Sequence, residues 1–288
     1  MTQDPFRLRY IVGSSLYGTL PLSEILPQVS RNHSDTLDIW PRVHGDQREQ
    51  VEAMGHDAFA ELLQTHRVKL GASTRFDLGP FELKSEMAFA QEFGASLLVC
   101  GSIGPKGLAG DELRGAVAEF AEALKPHIEA AAGHDVTIGI ENHGNALIES
   151  PDSMKWLVEF TDSRHLGIAL APYHLPGDAS MIAKLIEDLG QHLCLFYAWQ
   201  HGMGCHEKLP KERELLQLPG RGDLDFLPLV DALRKINFRG WTEIFMHPVP
   251  RGIPILDTAS DVTAELERSR LYLEGLVAAG TTSAGDGR

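Results

Sequence analysis

The stretch Val136-Thr-Ile-Gly-Ile-Glu141 is a short apolar run of β-type residues, and residues 153–160 after it have the spacing of a helix. The same alternation recurs eight times. The apolar runs cover residues 8–16, 36–41, 70–76, 96–101, 136–141, 166–171, 193–200 and 241–246. The helical segments cover residues 22–29, 48–67, 81–93, 111–132, 153–160, 179–189, 226–236 and 259–276. Strands that alternate with helices form a parallel sheet, and eight units over this length predict a closed (β/α)8 TIM barrel.

The pattern predicts one α/β domain over residues 1–280, with a long loop at 202–223 after the seventh strand and a flexible tail at 281–288. Long ordered loops at the C-terminal face of a barrel are commonly lids or substrate clamps. The first strand–helix turn has no GxGxxG sequence, and Gly101-Ser-Ile-Gly104 lacks the spacing of a dinucleotide site. An open dinucleotide-binding sheet is therefore disfavoured.

The amino-acid composition limits the kinds of partner that the protein is expected to bind. Asp and Glu number 40 against 26 Lys and Arg, a formal net charge of −14, which opposes broad contact with a phosphate backbone. No apolar stretch approaches the roughly 18 residues of a membrane span, and the N-terminus has no signal-peptide pattern. Three widely spaced cysteines suit a reducing compartment. We expect a cytoplasmic protein that binds neither nucleic acid nor membrane.

Two glutamates stand inside apolar strand runs: Glu141 in Thr137-Ile-Gly-Ile-Glu141, and Glu243 in Trp241-Thr-Glu-Ile-Phe-Met246. A lone buried carboxylate is costly unless it is paired or binds a cation. Because the C-terminal ends of barrel strands converge on one mouth, both are expected at one site. The sequence predicts that they share a divalent cation; an ion pair across the mouth is the structural alternative.

Three further side chains follow barrel strands and could complete the cation site. His174 follows strand six, and Gln200 and His201 end strand seven, where only one of the two need face inward. Mg²⁺ accepts carboxylate and amide oxygen, and Mn²⁺ or Zn²⁺ accept imidazole as well. Two more histidines follow the glutamates, His143 two residues after Glu141 and His247 four residues after Glu243. They could line the pocket, or they could have a structural role next to the side chains that line it.

Other side chains are candidates for contact with a substrate. The rings of Trp40 and Trp199 could lie flat against a sugar, although a core role explains them equally well. His44 and Arg75 follow strands two and three and could bind hydroxyls or a carboxylate. Arg221 lies near the end of the barrel that often binds phosphate, and a solvated salt bridge is the alternative for both arginines.

The order of these features resembles a known family. A strand ending in Glu141-Asn142, a strand followed by Pro172-Tyr-His174, a Pro219-Gly-Arg-Gly222 segment and a final Trp241-Thr-Glu243 are similar to the xylose isomerase-like barrel superfamily. That superfamily includes sugar epimerases, inosose dehydratases and metal-dependent endonucleases for abasic DNA. In its epimerases the resemblance implies two glutamates, an aspartate and a histidine as metal ligands, with the glutamates moving protons.

Carried over to this chain, Glu141 and Glu243 match the two glutamates, and His174 matches a histidine that contacts substrate. Ala171 stands where the family has its metal-binding aspartate, so one anionic ligand is missing. A cation site would then have to close with His174, with Gln200 or His201, and with water.

The resemblance implies a metal-dependent sugar or keto-sugar isomerase or epimerase that moves a proton next to a carbonyl through an enediolate. A lyase or dehydratase of keto-sugars or 3-keto-glycosides could use the same site. A sugar-binding barrel that has lost catalysis with Ala171 is a third reading, and the acidic charge opposes the endonuclease. The expected partner is a small carbohydrate, with Mn²⁺, Mg²⁺ or Zn²⁺ as cofactor; a homo-oligomer would be compatible with the family.

Overall fold

The computed structural model describes residues 6–200 and 206–282. Eight parallel strands pair in sequential order and close into a barrel, which confirms the predicted (β/α)8 fold. The strands are β1 Tyr10–Gly13, β2 Thr36–Ile39, β3 Lys69–Thr74, β4 Leu97–Gly101, β5 Thr137–Glu141, β6 Leu166–Leu170, β7 Leu193–Ala198 and β8 Trp241–Ile244.

Helices follow the strands and cover the outside of the barrel. The α-helices are α1 Leu22–Arg31, α2 Gln47–Met54, α3 His56–His66, α4 Lys84–Phe93, α5 Gly110–Gly133, α6 Pro151–Thr161, α7 Ala179–Leu189, α8 Lys211–Glu214, α9 Leu227–Lys235 and α10 Ala259–Thr282. Because both faces of the sheet are covered, most strand positions are buried, and β6 is apolar and buried at all five positions.

Three boundaries differ from the sequence-based prediction. Residues 48–67 form two helices, α2 and α3, because Gly55 between them takes a φ of +85° that interrupts the helix. The first strand ends at Gly13 and passes into a 3₁₀ turn, Ser14–Leu16. The final helix continues to Thr282, six residues past the predicted end.

The predicted loop at 202–223 is described from residue 206 onward. It holds α8 and a 3₁₀ turn, Leu215–Gln217. Residues 202–205 of this loop and residues 283–288 of the predicted tail lie outside the described residues. Within the described parts of the chain, no helix is long and apolar enough to cross a membrane.

The register of the strands places the two predicted glutamates in the barrel wall. Glu141, the last residue of β5, pairs with Gly101 on β4 and Ala169 on β6. Glu243, the third residue of β8, pairs with Ile11 on β1 and Tyr197 on β7. Both carboxylates therefore belong to the same closed sheet.

Candidate active site

Glu243 faces a second carboxylate, Asp38 of β2, inside the barrel. Both residues are fully buried, at 0% exposure. Asp38 Oδ2 accepts a hydrogen bond of 2.7 Å from the Thr74 hydroxyl, which fixes its orientation. Among the described residues, Asp38 Oδ1 and both carboxylate oxygens of Glu243 have no hydrogen-bond donor. Hydrogen bonding therefore compensates only part of the charge of this pair.

Burial sets the protonation of this pair. Loss of hydration raises the pKa of Glu243 well above its usual value, and the neighbouring charges of Asp38 and Glu141 raise it further. Burial also raises the pKa of Asp38, against the lowering effect of the Thr74 hydrogen bond. Two buried carboxyl groups that face each other repel when both are ionised, so we expect them to hold a proton between them.

Gly13 of β1 makes room for Glu243. A Cβ atom at residue 13 would stand 2.2 Å from Glu243 Oε1 and 3.6 Å from the indole nitrogen of Trp40. A Cβ atom does not fit at 2.2 Å from a carboxylate oxygen, so only glycine can occupy position 13 without a shift of Glu243. The close approach of the β1 backbone therefore fixes where the Glu243 carboxylate lies.

Glu141 belongs to a second cluster, formed with two histidines. His174 Nε2 lies 3.7 Å from Glu141 Oε1, and both side chains are buried. The rings of His174 and His143 are 4.1 Å apart between centroids. Burial raises the pKa of Glu141 to about 8, so this carboxyl group gains or loses a proton near neutral pH.

Four aromatic rings, here called the aromatic layer, pack together in the barrel mouth. Trp40 stacks on Phe245 at a centroid distance of 5.1 Å, and Tyr173 stacks on Trp199 at 4.1 Å. Trp199 meets Phe245 edge to face at 5.1 Å, which joins the two stacks. Trp40 and Trp199 are each 1% exposed, so their rings offer little free surface in this conformation.

The backbone around Ala171 is held by Asn142. The Asn142 side chain donates to the Ala171 carbonyl at 3.1 Å and accepts from the Ala171 N–H at 2.7 Å. These two bonds join the end of β5 to the end of β6. The position where the resemblance places an aspartate therefore carries no ligand atom, and its backbone groups are already used.

Gln200 hydrogen-bonds to the backbone of the loop that follows β7. Its side-chain oxygen accepts from the Leu224 N–H at 2.7 Å, and its side-chain nitrogen donates to the Leu218 carbonyl at 2.9 Å. One acceptor position and one donor position of the amide are thus used, and its role as a metal ligand stays a prediction. The competing candidate, His201, lies outside the described residues.

The described donors do not by themselves fit a divalent cation. Glu141 lies against His174, whereas Glu243 lies against Asp38. Across residues 6–200 and 206–282, no group of three His, Cys, Asp or Glu side chains is arranged to hold a metal ion. The prediction that Glu141 and Glu243 bind one cation therefore stays a prediction, because among the described residues no third side chain completes such a site.

Two predicted substrate contacts are histidines in the mouth. His44 stacks on His247 at 4.8 Å, and His247 meets the ring of Trp199 at 5.0 Å. Burial lowers the pKa of His44 to about 4, and burial also lowers the pKa of His247 well below its usual value. Both rings are therefore neutral at physiological pH and can donate or accept one hydrogen bond at each nitrogen.

The predicted arginines are occupied in ion pairs. Arg75 bonds to Asp77 and to the buried Glu86. Arg221 bonds through two of its nitrogens to Glu265 of α10. Both guanidinium groups therefore form salt bridges, which is the alternative that the sequence left open. Their contact with a substrate stays a prediction.

Sequence reasoning missed Asp38 and Tyr197. Tyr197 is 1% exposed, and its hydroxyl has no partner of normal hydrogen-bond geometry among the described residues. Burial raises the pKa of Tyr197 well above its usual value, and the nearby carboxylates add to this effect. Asp38 could have been found, because it stands in the apolar run Thr36-Leu-Asp-Ile39 as the two glutamates stand in theirs.

The sequence model of the family described as "Xylose isomerase-like TIM barrel" matches residues 43–267. The chain belongs to this family, as the order of its strand-end residues predicted. A comparison with curated protein sequences found no match.

Solved structures of low sequence identity share the fold. The IOLI protein, determined with a bound zinc atom, superposes with a TM-score of 0.71 at 16% identity, over 92% of this chain and 98% of that one. L-ribulose 3-epimerase gives a TM-score of 0.70 at 14% identity, over 98% and 100%. The 3-keto-D-glucoside 4-epimerase from E. coli gives 0.68 at 14% identity, over 92% and 100%. These likenesses establish the barrel and its extent.

Proposed function

We propose that this protein is a sugar or keto-sugar isomerase or epimerase that moves a proton at a carbon next to a carbonyl. The observation that carries the proposal is the presence of two buried carboxyl groups with raised pKa values, Glu141 and Glu243, on β5 and β8 of one barrel. Several barrels of similar fold act on ribulose or keto-glucoside by their names, which supports a sugar substrate.

Glu141 is proposed as the base. It removes the proton from carbon, and the electron pair of the broken C–H bond moves to the carbonyl oxygen and forms an enediolate. Glu243 is proposed as the acid. It lies on β8 whereas Glu141 lies on β5, so the proton that it shares with Asp38 can reach the substrate from a different direction. Protonation of the opposite face of the same carbon gives an epimer. Protonation of the neighbouring carbon gives an isomer, provided that the hydroxyl proton moves to the former carbonyl oxygen and the new carbonyl forms on the carbon that carried the hydroxyl.

Two buried donors are suited to the oxygen that gains charge. The Trp40 indole N–H and the Tyr197 hydroxyl are directed towards the Asp38–Glu243 region, and neither has a hydrogen bond of normal geometry among the described residues. An oriented donor in a water-poor site stabilises a developing oxyanion, and removal of one such donor typically costs about 100-fold to 1,000-fold in turnover. A substrate could reach them once the aromatic layer separates.

The divalent cation stays a prediction, since the described donors do not fit one and no step is assigned to it. Elemental analysis of the purified protein and its melting temperature with added Mn²⁺ measure it directly. A bound ion would raise the melting temperature, and the increase would grow with the logarithm of the free ion concentration once that concentration exceeds the Kd.

Exchange of the substrate α-proton with deuterated water tests the proposal. A panel of keto-hexoses and 3-keto-glycosides is incubated with the protein, and deuterium at carbon is followed by NMR. We expect exchange with at least one compound in the wild type, and at least a 1,000-fold slower rate in Glu141→Gln, because the amide cannot accept the proton.

The same measurement separates the alternatives. Full exchange in Glu141→Gln would reject the assignment of the base. Exchange accompanied by loss of a β-substituent would indicate a lyase or dehydratase. Saturable binding of a sugar without any exchange in the wild type would indicate a binding protein. A matched control is Glu112→Gln, an exposed carboxylate on α5, which should exchange at the wild-type rate.

A further inference from the structure

A cavity of about 310 Å³ lies beside the ends of β4 and β5 and is separate from the aromatic layer. Its wall includes Gly101, the last residue of β4, and His143, two residues past the end of β5. Its volume is at the lower end of the range of about 300–1,000 Å³ that small-molecule sites occupy. It has room for a group of the size of one ring.

The cavity adjoins the Glu141 cluster through direct contacts. Gly101 pairs with Glu141 in the β4–β5 register. His143 contacts His174, and His174 lies 3.7 Å from the Glu141 carboxylate. A ligand whose reacting carbon lies at Glu141 would therefore have the cavity next to it on the β4 side.

The cavity is lined by both apolar and polar side chains. Phe76, Ile103 and Leu147 are the apolar ones, and Ile103 is 54% exposed although it is a large hydrophobic residue. Ser102, Lys106 and Asn145 stand among the polar residues.

The polar residues of the lining can bind hydroxyl groups. The Ser102 hydroxyl oxygen accepts the Ile148 N–H at 3.0 Å, so its own hydrogen stays available to donate. Lys106 and Asn145 are both exposed at the rim, where an ammonium and an amide can reach hydroxyl oxygens. A lining that combines apolar side chains with hydrogen-bonding groups suits a sugar ring, which has apolar C–H faces and a polar edge.

We propose that this cavity binds the second ring of a glycoside whose first ring reacts at Glu141. The inference rests on the proposed function and narrows its substrate class from single keto-sugars to two-ring glycosides. The second ring would lie against Phe76 and Ile103, with its hydroxyls directed to Ser102 and Lys106.

Calorimetric titration with two matched compounds tests the subsite. Methyl 3-keto-β-glucoside and 3-keto-cellobiose share the reacting ring, and only the second carries another sugar ring. We expect 3-keto-cellobiose to bind at least tenfold more tightly to the wild type. Ala146→Trp fills the cavity with an indole and should remove this gain.

Two further variants complete the test, one that changes the cavity and one that serves as a control outside it. Ile103→Asp changes an exposed residue, so it should fold, and it should reduce the gain at least threefold. Ala88→Trp is the matched control, because Ala88 is an exposed residue of α4 that lines a different cavity, between α4 and α5. It should keep the full gain.

Three outcomes would overturn the subsite. They are equal affinity for the two compounds, a gain that survives both Ala146→Trp and Ile103→Asp in folded protein, and no binding of either compound at millimolar concentration. The proposed function is tested separately, since α-proton exchange with a single-ring keto-sugar needs no second ring. Exchange without a preference for 3-keto-cellobiose would reject the subsite alone.

Discussion

Each carboxylate of the site has its own close neighbour, and those neighbours assign different roles. Glu141 lies by a histidine, whereas Glu243 lies by another carboxyl group, Asp38. Burial alone raises the pKa of Glu141, whereas the neighbouring carboxyl group of Asp38 adds to burial and raises the pKa of Glu243 further. Different environments for two acids are the usual means of separating an acid from a base in one site.

Gly13→Ala tests the placement of Glu243. The new methyl group would stand 2.2 Å from Glu243 Oε1, and the carboxylate, which is fully buried, has little space in which to move. We expect the free energy of unfolding to fall by about 1–3 kcal/mol, the usual cost of overpacking. We also expect at least a tenfold loss of proton exchange, measured by NMR, because the acid is displaced.

Gly115→Ala is the control for this change. Gly115 lies on α5 with no atom within 4 Å of the added Cβ, so the same substitution should be neutral or stabilise the protein by up to about 1 kcal/mol. Wild-type stability and exchange in Gly13→Ala would show that Glu243 can be accommodated elsewhere.

At the scale of the structural elements, one buried side chain ties the loop after β7 to the barrel mouth. Gln217 Oε1 accepts from the Trp199 indole N–H at 2.9 Å and from the His247 N–H at 3.1 Å. Its amide nitrogen donates to the carbonyls of His247 and Glu214. The Gln217 amide thus joins the loop to Trp199 of the aromatic layer and to the backbone of His247, in addition to the bonds that the Gln200 amide makes to the same loop.

Gln217→Ala should release this loop. The substitution leaves the Trp199 indole and the His247 backbone without their partners, and each unsatisfied buried group costs about 1–3 kcal/mol. We expect the free energy of unfolding, measured by chemical denaturation, to fall by about 2–4 kcal/mol, allowing for partial rescue by water. Limited proteolysis should cut residues 206–223 faster.

The control for Gln217→Ala is a substitution of Gln191, an exposed residue at the end of the barrel wall opposite to the mouth. Gln191→Ala should change neither stability nor the cleavage rate. If Gln217→Ala unfolds the whole protein more easily but leaves proteolysis of the loop unchanged, the amide supports the barrel and not the loop.

For the whole molecule, the buried carboxylates make stability depend on pH. Burial raises the pKa of Glu141 from 4.5 to about 8. Between these values the unfolded chain has released this proton and the folded chain still holds it. The folded state binds more protons, so the contribution of Glu141 to stability is present below pH 4.5 and is lost as the pH rises towards 8.

Glu141→Gln should remove that dependence. We expect the melting temperature of the variant, relative to the wild type, to increase by about 2 °C or more from pH 4.5 to pH 8, which corresponds to roughly 1 kcal/mol in a domain of this size. The measurement is differential scanning calorimetry in the presence of a chelator, so that no cation stabilises the carboxylate.

The exposed Glu112→Gln should show no such trend. A difference between Glu141→Gln and the wild type that stays constant over this range would mean that Glu141 is already ionised in the folded protein.

The fold could be predicted because hydrophobic periodicity is a local property of the chain. Eight apolar runs alternate with helical segments, and closure follows from their number and length. The break at Gly55 was missed, because a glycine in a helical pattern does not reveal whether its φ is positive.

The candidate site was only partly predictable. Glu141, Glu243 and His174 could be identified because their positions at strand ends follow from the fold. The neighbours of each group depend on distances across the barrel, which no local pattern encodes. The pairing of Glu243 with Asp38, and the use of the Gln200 amide by the loop, therefore emerged only from the structure.

The sequence by itself determined the barrel, the family and the two glutamates, since each depends on periodicity or on residue order along the chain. Only the tertiary structure decided which carboxyl groups meet, which amides are already bonded and where a ring-sized cavity lies beside Glu141. The reason is that closing the barrel brings residues more than 200 positions apart, such as Asp38 and Glu243, into one dry interior where each alters the protonation of the other.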